Sequence, residues 1–139
     1  MKKLFLGIMM ASVLMACNQT GKTNNTTTGT AGAANVPIIK FENESHDFGK
    51  IKQGDKVSYS FKFTNTGKSP LIITNAVASC GCTTPQWPKT PVLPGNTGAI
   101  SVTFNSAGKS GLQDKQITVT ANTNPAQSMV HLIGEVLTK

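Results

Sequence analysis

The sequence predicts an all-β fold, namely an immunoglobulin-like antiparallel β-sandwich of about seven strands. Apolar and polar residues alternate with a period of two in several short runs, and clusters of Gly, Pro and Asn separate these runs. No window has the sustained 3.6-residue periodicity of an amphipathic helix. Closely spaced alternating runs are typical of sandwiches, and nothing in their lengths favours the alternative of a closed barrel.

Each predicted strand is marked by its own pattern of apolar residues. Val57, Tyr59, Phe61 and Phe63 alternate with polar residues, as one half-buried face of a strand requires. The run from residue 71 to 78 is more continuously apolar. The predicted strands lie at 38–41, 57–63, 71–78, 100–104, 117–121 and 130–136, with turns at 65–70, 106–111 and 122–125.

The first 16 residues have the pattern of a lipoprotein signal peptide. Lys2 and Lys3 precede an apolar run at 4–15, which is shorter than the roughly 20 residues that span a bilayer. The run ends in Leu14-Met15-Ala16-Cys17, which resembles the lipobox of bacterial lipoproteins, with Met15 as its one unusual member. The alternative is an ordinary secretory signal with a nearby cysteine.

The lipobox resemblance implies that Cys17 is lipidated and becomes the first residue of the mature chain. Two or three acyl chains such as palmitate, at about 0.8 kcal/mol per buried CH₂, would hold it in a membrane. The residues that follow Cys17 lack the acidic run that resembles a surface-export signal, so we expect the periplasmic face of the outer membrane.

Residues 17–36 are predicted to be the lipidated cysteine and a flexible linker, and 37–139 the sandwich domain. The linker is rich in Thr, Asn, Gly and Ala, and it has no large apolar residue that could offset the entropy of ordering. About 18 such residues give a root-mean-square reach of about 25 Å.

The charge of the chain is basic, with 13 lysines, no arginine and 6 acidic residues. Removal of Lys2 and Lys3 leaves eleven lysines against six acids, a net charge of +5. Nucleic-acid recognition relies on arginine forks, and these lysines are scattered. The composition therefore predicts a lysine-decorated soluble surface and no nucleic-acid partner.

Several motifs, taken in order, resemble one family, the bacterial domain of unknown function 1573 that is common in Bacteroidetes lipoproteins. They are His46-Asp47-Phe48-Gly49-Lys50-Ile51, Tyr59-Ser60-Phe61-Lys62-Phe63-Thr64-Asn65-Thr66-Gly67, Ser79-Cys80-Gly81-Cys82-Thr83, Pro94-Gly95, Val102-Thr103-Phe104-Asn105-Ser106, Gly108-Lys109-Ser110-Gly111 and Gly134-Glu135-Val136. The resemblance implies an Ig-like sandwich of the Hydin and abnormal-spindle type, and it implies no reaction.

Cys80 and Cys82 form the sharpest local motif, because lipidation of Cys17 leaves them as the only pair. Three interpretations stay open: a disulfide that Gly81 would help to close, two buried thiols, or a soft-metal pair with His46 or His131 as further ligands. Zinc requires four ligands and no other cysteine is available once Cys17 is lipidated, so we assign no metal and no cofactor.

No catalytic constellation is recognisable. His46 beside Asp47 is expected at the surface of a turn, His131 on the solvent side of the last strand, and Trp87 as a cap over the core. We therefore predict a non-enzymatic, lipid-anchored envelope module that binds a protein or glycan or serves in assembly. The alternative is a periplasmic protein that handles copper or thiols through Cys80 and Cys82.

Overall fold

The computed structural model describes residues 35–138, all of them in strands, turns or loops. The predicted signal peptide (1–16), the predicted lipidation site Cys17 and the predicted linker up to residue 34 lie outside the described residues. Eight strands are present: β1 (Ile39–Phe41), β2 (Ser45–Lys52), β3 (Lys56–Asn65), β4 (Ile73–Ala78), β5 (Thr83–Gln86), β6 (Thr97–Asn105), β7 (Gly111–Ala121) and β8 (Gln127–Leu137).

The strands form two four-stranded sheets, which confirms the predicted sandwich. The first sheet has the order β1-β3-β6-β5 and the second has the order β2-β8-β7-β4. Residues that alternate inward from both sheets make one core, including the fully buried side chains of Phe61, Phe63, Ile100 and Phe104. Burial of these large apolar side chains supplies the main favourable free energy of folding.

Two details of the prediction are wrong. The sandwich is not entirely antiparallel, because β2 runs parallel to β8. Most of the domain lies between these two strands, so no hairpin forces them to pair antiparallel. The stretch around His46 is a strand rather than a turn, and Gly49, with φ of 72°, lies in a bulge within it.

The strand β5, which lies outside the predicted strand ranges, pairs with β6. Pro85 is tolerated there because β5 is an edge strand, where one row of backbone donors is not needed by a neighbour. The chain reaches β5 from β4 by crossing from the second sheet to the first. This crossing segment contains Cys80 and Cys82.

None of the described residues lies in a helix that is long and apolar enough to cross a bilayer.

Candidate functional site

The crossing segment between β4 and β5 is held by backbone hydrogen bonds at both ends. The amide of Ser79 donates to the carbonyl of Gln116 on β7 over 2.8 Å, and the amide of Asn105 on β6 donates to the carbonyl of Cys82 over 2.9 Å. A further bond from Thr83 N–H to Cys80 C=O closes a tight turn. The segment is therefore fixed to one strand of each sheet.

Cys80 and Cys82 are joined by a disulfide in the structure, and their Cα atoms are 5.3 Å apart. Both residues are half-buried, whereas Gly81 between them is exposed. The hydroxyl of Thr83 lies 3.5 Å from Sγ of Cys80 and 3.9 Å from Sγ of Cys82. In this state the sulfur atoms are not thiolates, so only reduction would make them nucleophiles or metal ligands.

A polar cavity of about 300 Å³ lies beside the disulfide on the outer side of the first sheet. Its lining residues are Lys56, Gly81, Cys82, Thr84, Thr103, Asn105 and Ala107. No carboxylate belongs to this lining, and Lys56 contributes a positive charge. We call it the polar pocket.

The polar pocket lies at one end of a flat surface that we call the hydroxyl face. This surface is the outward side of the first sheet, and its members are Lys40, Lys56, Ser58, Ser60, Lys62, Thr64, Thr84, Gln86, Thr97, Ala99, Ser101, Thr103 and Asn105. Hydroxyl pairs bridge β3 and β6, with 2.9 Å between Ser58 and Thr103 and 3.1 Å between Ser60 and Ser101. Its members include three lysines and no acidic residue.

The outward side of the second sheet differs in character, and we call it the mixed face. Val77 pairs with Thr118, which pairs with Met129, so the two apolar side chains lie in one row across three strands. Val77 is 53% exposed, Met129 is 52% exposed and Leu112 is 86% exposed. An ion pair of 3.2 Å between Lys50 and Glu135 lies beside Leu112.

The two histidines do not converge on the disulfide. His46 lies between the sheets, where its ring stacks on Tyr59 with centroids 3.5 Å apart, so the predicted surface position is wrong. His131 lies on the mixed face, and its Nδ1 is 2.9 Å from Asp114. His46 belongs to β2, at the opposite edge of the second sheet from β4. Within residues 35–138, no three His, Cys, Asp or Glu side chains are grouped to hold a metal.

Trp87 packs against the core as the sequence predicts, and the ammonium of Lys89 lies 3.1 Å from the centre of its ring. Such a contact of a cation with an aromatic face is favourable. The half-buried indole thus contacts both the core and Lys89. It is not a free binding aromatic.

Lys115 is the one titratable group whose pKa is clearly perturbed in the described part of the chain. Partial burial lowers its pKa from 10.5, and the positive charge of Lys109 lowers it further, whereas Asp114 acts in the opposite direction. The ammonium lies 5.3 Å from the centre of the Phe104 ring, so it faces an apolar surface.

Two buried polar residues organise the turns, and sequence reasoning had not singled them out. Asn65 and Ser106 have no exposed surface. Asn65 donates to the carbonyls of Ser69 and Val92, and the hydroxyl of Ser106 donates to the backbone between β2 and β3. The only sequence signal was their position at the ends of alternating strands, next to turn residues.

A family model described as "Protein of unknown function (DUF1573)" matches residues 39–136, from β1 to near the end of β8. The chain belongs to the DUF1573 family. The match covers every strand of the sandwich except the final residue of β8. No protein with a curated description matches the sequence.

Solved structures show the fold of this DUF1573 domain in distant proteins. A Porphyromonas gingivalis protein of unknown function is 15% identical with a TM-score of 0.65, over 78% of this chain and 51% of its own. The ASH or PapD-like domain 7 of human CEP192 is 11% identical with a TM-score of 0.61, and the match covers 75% of this chain and 88% of that one. The secreted serine protease VesC of Vibrio cholerae is 12% identical with a TM-score of 0.57, and the match covers 71% of this chain and 23% of that one.

The DUF1573 chain thus spans about half the length of the Porphyromonas protein. At these identities the likeness establishes an Ig-like, PapD-like sandwich and nothing about activity.

Proposed function

We propose that this DUF1573 protein is a lipid-anchored module of the bacterial cell envelope that binds a partner protein and has no enzymatic activity. The observation that carries the binding role is the mixed face. Its apolar side chains Val77, Met129 and Leu112 are each more than half exposed, although strands of a sandwich usually place such residues in the core.

The mixed face has the composition of a protein-binding surface. Val77 of β4 and Met129 of β8 lie on either side of Thr118 in one row, and the polar contacts His131–Asp114 and Lys50–Glu135 follow further along the same face. An apolar centre with a polar rim is the usual arrangement in protein–protein interfaces. A PapD-like sandwich is compatible with this role, and the anchor would keep the domain close to envelope partners.

Affinity capture from envelope extracts tests the proposal. We expect the intact protein to recover a reproducible partner, and the double variant Val77→Lys, Met129→Lys to lose it, because two charges would then enter the apolar row. The control variant Thr97→Lys adds a charge to the opposite sheet and should retain the partner. Failure to recover any reproducible protein, or equal recovery by all variants, contradicts the proposal.

A second candidate function is thiol–disulfide exchange through Cys80 and Cys82, and one observation favours it. The disulfide lines the polar pocket, so a partner thiolate has a route to Cys82. In such a reaction a partner dithiol is oxidised to a disulfide, and the Cys80–Cys82 bond is reduced to two thiols. A ring of only three residues constrains the unfolded chain weakly, with a contribution of about 1.5 kcal/mol to stability.

Equilibration of the protein with glutathione, followed by thiol counting, tests this candidate. Exchange predicts that Cys80 and Cys82 are reduced and reoxidised reversibly within the range of glutathione buffers, and the Cys80→Ser, Cys82→Ser variant should titrate no thiol. Titration of the reduced protein with Cu(I) tests metal handling against the same variant. A disulfide that stays oxidised in every glutathione buffer would exclude the exchange role.

A further inference from the structure

We propose that the polar pocket is a binding site for an anionic glycan, with a carboxylate or phosphate of the glycan seated beside Lys56. The site lies on the first sheet, opposite the mixed face, and it does not depend on the protein partner proposed above. Its chemistry follows from which groups line the cavity and which groups are absent from it.

The strand register places the donors of the pocket side by side. Lys56 pairs with Asn105 across β3 and β6, and Thr103 lies between Ser58 and Thr84 in the next row. The Oδ1 atom of Asn105 already accepts the amide of Ala107 over 3.0 Å. This bond leaves the Nδ2 group of Asn105 available as a donor in the lining, next to the ammonium of Lys56.

The electrostatics of the pocket favour an anion. No acidic residue lines the cavity, and the acid that borders the hydroxyl face, Glu42 directly after β1, lies beside Lys62 rather than Lys56. The nearest carboxylate along the chain, Asp55, accepts the backbone amide of Lys52 over 2.9 Å and is used in the β2–β3 turn. A bound carboxylate or phosphate would thus face Lys56 without a competing negative charge in the lining, and hydrogen bonds to ionised groups are the stronger ones.

The surroundings of the pocket favour a glycan over a protein or a membrane. The bridged hydroxyl pairs Ser58–Thr103 and Ser60–Ser101 continue from the pocket along the sheet, and neighbouring strands are about 4.8 Å apart. Hydroxyl groups both donate and accept, which suits the hydroxyls of a sugar. The largest apolar member of the hydroxyl face is Ala99, so this surface has no side chain for insertion into a bilayer.

The test is an NMR titration of the full chain that carries Cys17→Ser, which leaves the described residues unchanged. The probes are a galacturonate tetramer, neutral maltotetraose, inorganic phosphate and vesicles of phosphatidylglycerol. We expect the galacturonate tetramer to shift the amide signals of Gly81, Thr84 and Asn105 with a dissociation constant of about 1 mM or tighter. Maltotetraose and phosphate alone should bind more weakly, and added salt should weaken the binding of galacturonate.

Three variants locate the site. Lys56→Gln should weaken galacturonate binding about fivefold, because it removes the ammonium. Asn105→Asp should weaken it about tenfold, because it keeps the acceptor for the Ala107 amide and replaces the donor by a negative charge. The control is Lys62→Gln, on the same strand and face but about 20 Å from Lys56, and it should have little effect.

Either of two results would overturn the proposal. The first is binding of phosphatidylglycerol vesicles or phosphate without preference for the acidic tetramer, which would show only a general attraction to anions. The second is equal loss of binding in Lys56→Gln and Lys62→Gln, which would show that the glycan binds along the whole hydroxyl face and not in the polar pocket. Both results would leave the protein partner of the mixed face unaffected, so the two proposals fail separately.

Discussion

At the scale of single residues, the side chain of Asn65 connects three separate parts of the backbone. It accepts the amides of Ile38 and Gly67 over 3.3 and 3.0 Å, and it donates to the carbonyls of Ser69 and Val92 over 2.8 and 2.9 Å. Replacement by Ala would remove all four bonds and leave the half-buried amide of Gly67 and carbonyl of Ser69 without this partner, whereas the carbonyl of Val92 would keep the amide of Leu71. We expect Asn65→Ala to lower the free energy of unfolding by about 3 kcal/mol in urea denaturation.

The matched control for this prediction is Asn105→Ala, because Asn105 is an exposed asparagine with one backbone bond. Its loss should change the free energy of unfolding by about 0.5 kcal/mol or less. Equal effects of the two substitutions would show that the network of Asn65 does not stabilise the fold.

Lys115 provides a prediction about pH. Because its pKa is lowered in the folded protein, the unfolded chain binds more protons at this site between the lowered value and 10.5, and stability rises with pH in that window. Below the window the charged Lys115 destabilises the fold. We therefore expect Lys115→Met to be more stable than the parent at pH 7, and the difference to shrink as the pH approaches 10.5.

Urea denaturation at several pH values from 7 to 10.5 measures this difference. Lys115→Arg is the matched control, since the guanidinium stays charged throughout the range and its difference from Lys115→Met should not close. A gap between parent and Lys115→Met that stays constant with pH would contradict the assigned cause.

At the scale of strands, Gly98 is required by a close contact across the first sheet. Gly98 pairs with Phe63, and a Cβ atom at position 98 would overlap the Phe63 ring. Phe63 is fully buried in the core, so its ring could move only by displacing its neighbours. Gly98→Ala should lower the free energy of unfolding by about 1–3 kcal/mol.

Gly81→Ala is the control for this contact, because no atom lies within 4 Å of its added Cβ. Thermal denaturation of both variants distinguishes a specific overlap from a general intolerance of alanine. A melting temperature for Gly98→Ala equal to that of Gly81→Ala would show that the ring of Phe63 can be displaced without cost.

The strands that sequence predicts well are those with one buried and one exposed face. Residues 57–63 lie within β3 and 100–104 within β6, because alternation of Phe or Val with Ser or Thr leaves one possible orientation. The alternation in β2 is interrupted by the bulge at Gly49, and β5 contains Pro85, so neither has a regular pattern. Their pairing depends on distant strands, which local patterns do not encode.

Only the part of the candidate site that is local in sequence, the cysteine pair, was predictable. Cys80 and Cys82 are only two residues apart in sequence, so their pairing could be considered without knowledge of the fold. The polar pocket instead combines Lys56 from β3 with Thr84 and Asn105 from β5 and β6. Only the order of strands in the first sheet brings these residues together.

At the scale of the whole molecule, the two outer faces differ in chemistry. The hydroxyl face has three lysines and no acid, whereas the mixed face contains acidic residues such as Asp114 and Glu135 together with exposed apolar side chains. The two faces point away from each other across the core. The two proposed ligands would therefore occupy opposite sides of the sandwich and would not compete for the same residues.

The last prediction concerns the attachment of this sandwich to the envelope. If Cys17 is the lipid acceptor, mass spectrometry of the native protein should find a chain that begins at Cys17 and has two or three acyl chains. The full chain should partition into the detergent phase of a Triton X-114 separation, because burial of acyl chains contributes about 0.8 kcal/mol per CH₂. A chain that begins at Asn18, which lacks both Cys17 and the apolar run at 4–15, should move to the aqueous phase, whereas the lipidated protein with Cys80→Ser, Cys82→Ser, the matched cysteine control, should stay in detergent. A native chain without acyl groups at Cys17 would contradict the anchor and leave the two binding faces as properties of a soluble protein.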